Sequence, residues 1–167
     1  MRLFFALWPP AKTAHALDEW THRVMRDTGG TPMLARNIHL TLAFLGEADP
    51  APAHNVAQRV QARKHSLPIE EARYWKHNKV VWVGPQAMPP ALSGLVTQLH
   101  KALRDAGFTL EDRPFAAHVT LLRKARAPAA LPPLPKLEWH VSEFLLVRSR
   151  TSPKGSTYEP LERYSLS

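Results

Sequence analysis

Residues 37–46 read NIHLTLAFLG and residues 115–123 read FAAHVTLLR, so His39-Leu40-Thr41-Leu42 returns 79 positions later as His118-Val119-Thr120-Leu121. The chain's own His, Thr and Leu content gives about 0.07 chance occurrences of His-x-Thr-Leu, which makes two copies, one in each half, an internal repeat to be explained. A lone copy reads most simply as a half-buried strand with a hydrogen-bonded histidine. Two copies in matching settings read as two contributions to one site.

Both copies read as strands. Side chains alternate across a strand, so His39 and Thr41 share one face while Leu40, Leu42 and Phe44 take the other. The second copy divides in the same way, His118 and Thr120 against Val119 and Leu121. Each strand can then bury an aliphatic side and present an imidazole and a hydroxyl, and two such faces can line one groove. The chemistry that suits them is phosphodiester cleavage, which takes a proton from an attacking water and gives one to a departing sugar oxygen. Imidazole titrates near 6.5, so it performs either step at neutral pH provided that one ring starts neutral and the other charged. Thr41 and Thr120 add hydroxyl donors for the non-bridging phosphate oxygens.

Around the motifs, residues 2–8 form an apolar strand. Its run is shorter than the roughly 7–15 residues of a signal-peptide core and stops at Pro9-Pro10. Pro10 opens a helix in which Ala14, Leu17, Trp20 and Val24 recur until Gly29-Gly30. Residues 52–64 read as a polar surface helix. Residues 69–75 and 80–83 read as strands joined by a turn at 76–79. Leu92, Leu95, Leu99 and Leu103 make the clearest amphipathic helix, between Pro89-Pro90 and Gly107. Four prolines make residues 127–135 a loop. The strands at 137–148 and 157–166 flank the turn Pro153-Lys154-Gly155-Ser156. Strands and helices interleave without regular β-α-β spacing, which predicts an α+β fold with largely antiparallel pairing. No linker divides the chain, so residues 1–167 are expected to form one domain.

Composition narrows the partner. Lys and Arg number 22 against 14 Asp and Glu, a formal charge of +8, which favours an anionic partner. The absence of cysteine removes disulfides, thiolate nucleophiles and most structural zinc sites. His-Glu-x-x-His and Asp-rich metal motifs are also missing, so neither metal nor cofactor is expected. No stretch reaches the roughly 20 apolar residues of a membrane span, and a cytoplasmic protein is expected. The other seven histidines, His15, His22, His54, His65, His77, His100 and His140, are expected to be solvent-exposed and without a role. Trp8, Trp82 or Tyr158 could stack on a nucleobase.

These residues resemble the two-histidine (2H) phosphoesterase superfamily, and within it the RNA 2′,3′-cyclic phosphodiesterases, also called 2′-5′ RNA ligases. The likeness spans nearly the whole chain: residues 2–6, 37–46, 81–84 and 115–123 carry it. It implies a bilobed α+β fold with pseudo-twofold symmetry, two antiparallel sheets about a central groove, helices outside, and one motif from each lobe. It implies RNA with a 2′,3′-cyclic phosphate end as substrate, opened to a 2′-phosphate without metal, with possible reversal as 2′-5′ ligation. His39 then corresponds to the proton donor to the 3′ oxygen, His118 to the base for water, and Thr41 and Thr120 to phosphate contacts. Arg123 matches a common arginine five residues after the second histidine, although strand parity turns it away from His118 unless a bulge intervenes. Ala116-Ala117 stand where the family often has a proline. A cyclic-nucleotide or 2′-5′ oligonucleotide phosphodiesterase and a non-catalytic RNA-binding module are the alternatives. A monomer is expected.

Overall fold

The computed structural model describes residues 1–167. Along the chain, β1 (Arg2–Leu7) leads into α1 (Ala11–Thr28), the short β2 (Thr31–Pro32), a 3-10 turn at Ala35–Asn37 and β3 (Leu40–Glu47). Next come α2 (Pro50–Ala57), β4 (His65–Pro68), β5 (Glu71–Trp75), β6 (Val80–Gly84) and α3 (Pro90–Asp105). The chain closes with β7 (Val119–Arg123), β8 (Glu138–Val141), β9 (Glu143–Ser152) and β10 (Gly155–Ser165).

The strands form two antiparallel halves. One runs β10-β9-β1-β3, and the other runs β7-β6-β5 with β2 beside β7. They meet at a single residue pair, Leu40 with Val119. Those are the residues that follow His39 and His118, so the approximate twofold axis relating the halves passes between the two motifs. A separate two-stranded sheet pairs β4 with β8.

The helices cross over. α1 lies in sequence between β1 and β3 but packs against β7 and β2, whereas α3 lies between β6 and β7 and packs against β3. Each helix thus covers the motif strand of the opposite half. α1 buries Leu17, Trp20, Thr21, Val24 and Thr28 as one stripe. The Trp20 Nε1–H donates to the Pro132 carbonyl at 3.1 Å, which ties down the proline-rich loop. α3 buries Leu92, Leu95, Val96, Leu99 and Leu103. One apolar cluster runs beneath both halves, and Leu40, Leu42, Val119 and Leu121 all belong to it. β1 is buried on both faces: Leu3, Phe5 and Leu7 enter that core, while Phe4 and Ala6 join Leu145 and Val147 on the opposite face.

Three expected elements differ. The helix expected over 52–64 spans Pro50–Ala57, capped by the Asp49 carboxylate on the Ala51 N–H at 3.0 Å. It stops early because the chain end captures the following segment: Lys64 N–H donates to the Ser167 carbonyl and Ser167 N–H to the Ala62 carbonyl. The strand expected over 69–75 is β5 alone, preceded by the unanticipated β4. The strand expected over 137–148 divides at Ser142 into β8, which pairs with β4, and β9, which pairs with β1 and β10. Pro160 is tolerated in β10 because this strand is the sheet edge, next to an irregularity in register between Pro160 and Glu162.

Candidate active site

His39 and His118 each occupy the position immediately before a strand begins, β3 and β7 respectively. Each is oriented by its own backbone two residues upstream. The Asn37 carbonyl lies 2.6 Å from His39 Nδ1, and the Ala116 carbonyl lies 2.9 Å from His118 Nδ1. A carbonyl only accepts, so Nδ1 carries the proton in both rings and Nε2 is the atom left for chemistry. The alanines in place of a proline do not prevent this contact. Ala117 passes close to β6, where a Cβ on Gly84 would come within 2.6 Å of its carbonyl oxygen, so a glycine is needed there.

Beyond the motifs, both strands bulge at the same place. Phe5 pairs with Ala43 and Ala6 with Thr41, which leaves Leu42 as an extra residue in β3. Val81 pairs with Leu122 and Trp82 with Thr120, which leaves Leu121 as an extra residue in β7. Leu42 and Leu121 are the fourth residues of the two motifs. The Leu42 carbonyl is met from outside the sheet, by His100 Nε2–H of α3 at 2.7 Å, and the Leu121 carbonyl accepts from Met33 N–H at 2.9 Å, which continues the pairing of β2 with β7. His100 is therefore half-buried and bonded, contrary to its expected exposure. His54, bonded to the Tyr164 hydroxyl at 2.9 Å, and His65 are half-buried as well.

The bulges reset strand parity. Leu42-Ala43 and Leu121-Leu122 are consecutive buried residues, and the next residue in each strand, Phe44 or Arg123, emerges on the side of the histidine and threonine. Phe44 thus leaves the aliphatic face assigned to it by simple alternation and stands 61% exposed. Arg123, which unbroken parity would turn away, joins the same face. The two are pseudo-symmetric equivalents, each five residues after its histidine.

A cavity of about 130 Å³ gathers His39, Thr41, His118, Thr120 and Arg123, so all five candidate residues lie together. Arg2, Phe4, Phe44, Ser149 and Tyr158 complete its polar and aromatic lining, and no carboxylate faces it. Neither Arg2 nor Arg123 takes part in any of the ion pairs of the molecule. The site gathers two guanidinium groups outside any ion pair, two imidazoles and two threonine hydroxyls, a lining whose charge and donors suit an anion. No cluster of three or more His, Cys, Asp or Glu side chains is arranged to hold a metal ion.

The two imidazoles sit in different surroundings. Trp8 stacks on His39 with centroids 4.7 Å apart and planes 13° from parallel, Phe4 lies at 5.2 Å, and Tyr158 meets the ring edge-on at 5.1 Å. The His39 pKa is pushed down to about 4, chiefly by burial in this aromatic nest and in smaller part by the charges of Arg123 and His118, against the opposing bond to the Asn37 carbonyl. His39 is neutral in the free protein at pH 7. His118 instead meets Trp75 at 4.7 Å and 62°, with Trp82 at 6.2 Å. Trp8, Trp82 and Tyr158 therefore pack on the histidines themselves. Arg2 and Phe44 lie within stretches that carry the resemblance but were not singled out there, and Ser149 carried no mark in the sequence.

The fold and the paired histidines define a two-histidine phosphoesterase. The model of the family described as LigT like Phosphoesterase matches residues 7–82 and 83–158, one match for each motif, and the chain belongs to that family. It is 35% identical to the RNA 2′,3′-cyclic phosphodiesterase of Escherichia coli, over 99% of this chain and 96% of that protein. It is 36% identical to the protein of the same name from Thermus thermophilus, over 99% and 90%. Among solved structures, E. coli LigT complexed with 3′-AMP superposes with a TM-score of 0.92 at 33% identity, covering 99% of this chain and 98% of that one. The T. thermophilus protein TT0787 superposes with a TM-score of 0.85 at 31% identity, over 99% and 97%.

Proposed function

We propose that this protein is an RNA 2′,3′-cyclic phosphodiesterase that opens the cyclic phosphate to a 2′-phosphate with His39 as proton donor and His118 as proton acceptor. The observation that carries the reading is the convergence of both histidine–threonine pairs and Arg123 on one cavity free of carboxylates. The names of the full-length relatives and the 3′-AMP complex of the E. coli protein support the same substrate class.

In the reaction, water attacks phosphorus and gives its proton to His118 Nε2. The bond from phosphorus to O3′ breaks, and O3′ takes the proton from His39 Nε2. Thr41, Thr120 and Arg123 hold the non-bridging oxygens as charge builds on them. Since His39 is neutral in the free protein, its donor role requires that a proton arrive with the substrate. The phosphate supplies the reason, because its negative charge favours the protonated ring against the burial that chiefly holds the His39 pKa down and against the adjoining Arg123 charge. If a 5′-hydroxyl replaces water, the same groups make a 2′-5′ bond. The set needs no metal, both motifs come from one chain, and the two halves are proposed to work as one domain in a cytoplasmic monomer.

The test uses an oligoribonucleotide with a 2′,3′-cyclic phosphate end in the presence of EDTA. The expected product carries a 2′-phosphate, identified by ³¹P NMR, and turnover survives the chelator. His39→Ala and His118→Ala should each lower kcat by about 10²–10⁴ without loss of the folded CD spectrum, the usual scale of a lost proton-transfer group. A 3′-phosphate product would reverse the assigned leaving group. Full activity in either variant would remove that histidine from the mechanism.

A further inference from the structure

The catalytic cavity, at about 130 Å³, falls below the roughly 300–1,000 Å³ of sites that enclose a whole small molecule. It accommodates the phosphate and the adjoining sugar edge, so most of a nucleotide must lie outside it. A larger cavity of about 570 Å³ lies next to it. Tyr158 lines both, and Trp8, stacked on His39, lines the larger one. The two aromatic rings are therefore a partition, with the reacting phosphate on one side and an open chamber on the other.

The chamber has the components that recognise a nucleotide. Trp8 and Tyr158 offer aromatic surface on which a base can stack, a contact that strengthens binding by about tenfold or more per base. Thr157 and Ser142 bring exposed hydroxyls to the lining. Its acidic group, Glu143, is neutralised by Arg163 at 2.8 Å, whereas Arg36 at the rim belongs to no ion pair and is free to meet a phosphate. We propose that this chamber is a subsite for the nucleotide preceding the cyclic-phosphate end, with its base on the Trp8–Tyr158 partition and its phosphate beside Arg36. The protein would thus select RNA ends over cyclic mononucleotides, through binding made away from the reacting phosphorus. This rests on the phosphodiesterase reading above and specifies its substrate as a chain of at least two nucleotides.

The experiment compares kcat/KM for 2′,3′-cyclic AMP and for the dinucleotide ApA ending in a 2′,3′-cyclic phosphate. It uses the wild-type protein, Arg36→Ala, and Ser142→Trp, which fills the chamber from an exposed position. The wild type should favour the dinucleotide by about tenfold or more, the scale of one stacked base. Arg36→Ala should lower dinucleotide turnover by about tenfold, the scale of a lost charge-assisted contact, and leave cyclic AMP within about twofold. Ser142→Trp should abolish the preference while sparing cyclic AMP. Equal wild-type turnover of the two substrates, or equal losses on both in the variants, overturns the subsite and leaves the activity standing. Turnover of neither substrate by the wild type overturns the activity itself.

Discussion

At the scale of single residues, the two histidines share a hydrogen-bonding scheme but not an environment. Trp8 lies face-on to His39, and Trp75 lies across the edge of His118. The stacked indole is a positioning residue: it fixes the ring plane and removes water from it, which is the leading cause of the depressed His39 pKa. Trp8→Ala should raise that pKa from about 4 toward 6.5, read directly from an NMR titration of the His39 ring. An unmoved midpoint would show that the indole contributes no burial. The same shift sets a pH dependence of stability. Unfolded, His39 takes up its proton near 6.5, and folded near 4, so its contribution is complete above 6.5 and is lost as pH falls through that window. In Trp8→Ala the window narrows from its lower end, and the acid loss of Tm attributable to His39 shrinks.

At the scale of elements, the bulges at Leu42 and Leu121 decide what faces the groove. A regular β3 would bury Phe44, and a regular β7 would turn Arg123 away from the phosphate. The extra residue is stable only because its displaced carbonyl finds a partner, and on β3 that partner is His100 from α3. His100→Ala leaves a buried carbonyl unpaired, a cost of about 1–3 kcal/mol. For a domain of this size each kcal/mol lowers Tm by about 2–4 °C. A lower Tm with partial recovery in His100→Gln, whose amide restores a donor, is the expected result. An unchanged Tm would mean that the bulge holds itself.

At the scale of the whole molecule, part of the basic excess behind the charge of +8 lines the two cavities. Arg2 and Arg123 in the candidate catalytic cavity and Arg36 in the adjoining chamber are cations that take part in none of the ion pairs. Each phosphate they neutralise should contribute about −0.7 to the slope of log affinity against log salt. KM for an oligonucleotide with a cyclic-phosphate end should therefore rise with salt, and more steeply than KM for a cyclic mononucleotide. Equal slopes would confine the electrostatics to the reacting phosphate. The crossed helices support the groove from behind: α1 backs β7 and α3 backs β3, so each motif strand rests on the opposite half of the chain. No helix is long and apolar enough to cross a membrane.

What the residues settled unaided is what depends on near neighbours. The repeated His-x-Thr-Leu, the helical recurrence of Leu17, Trp20 and Val24, and the Leu92–Leu103 stripe all rest on periods of two or 3.6 residues and on proline and glycine punctuation. From these came the α+β fold and four of the five candidate residues with their facing. Tertiary structure alone decided the rest. Ser167 ended the helix at α2 by claiming the backbone of Ala62 and Lys64, and β4 took β8 away from the long strand expected there. His100 and Met33 stabilised bulges that no local pattern encodes, which brought Arg123 and Phe44 into the groove. Trp8 made one imidazole unlike its twin across 31 residues of chain. In each case the deciding partner is remote in sequence, and burial or hydrogen bonding between remote groups exists only once the chain has folded.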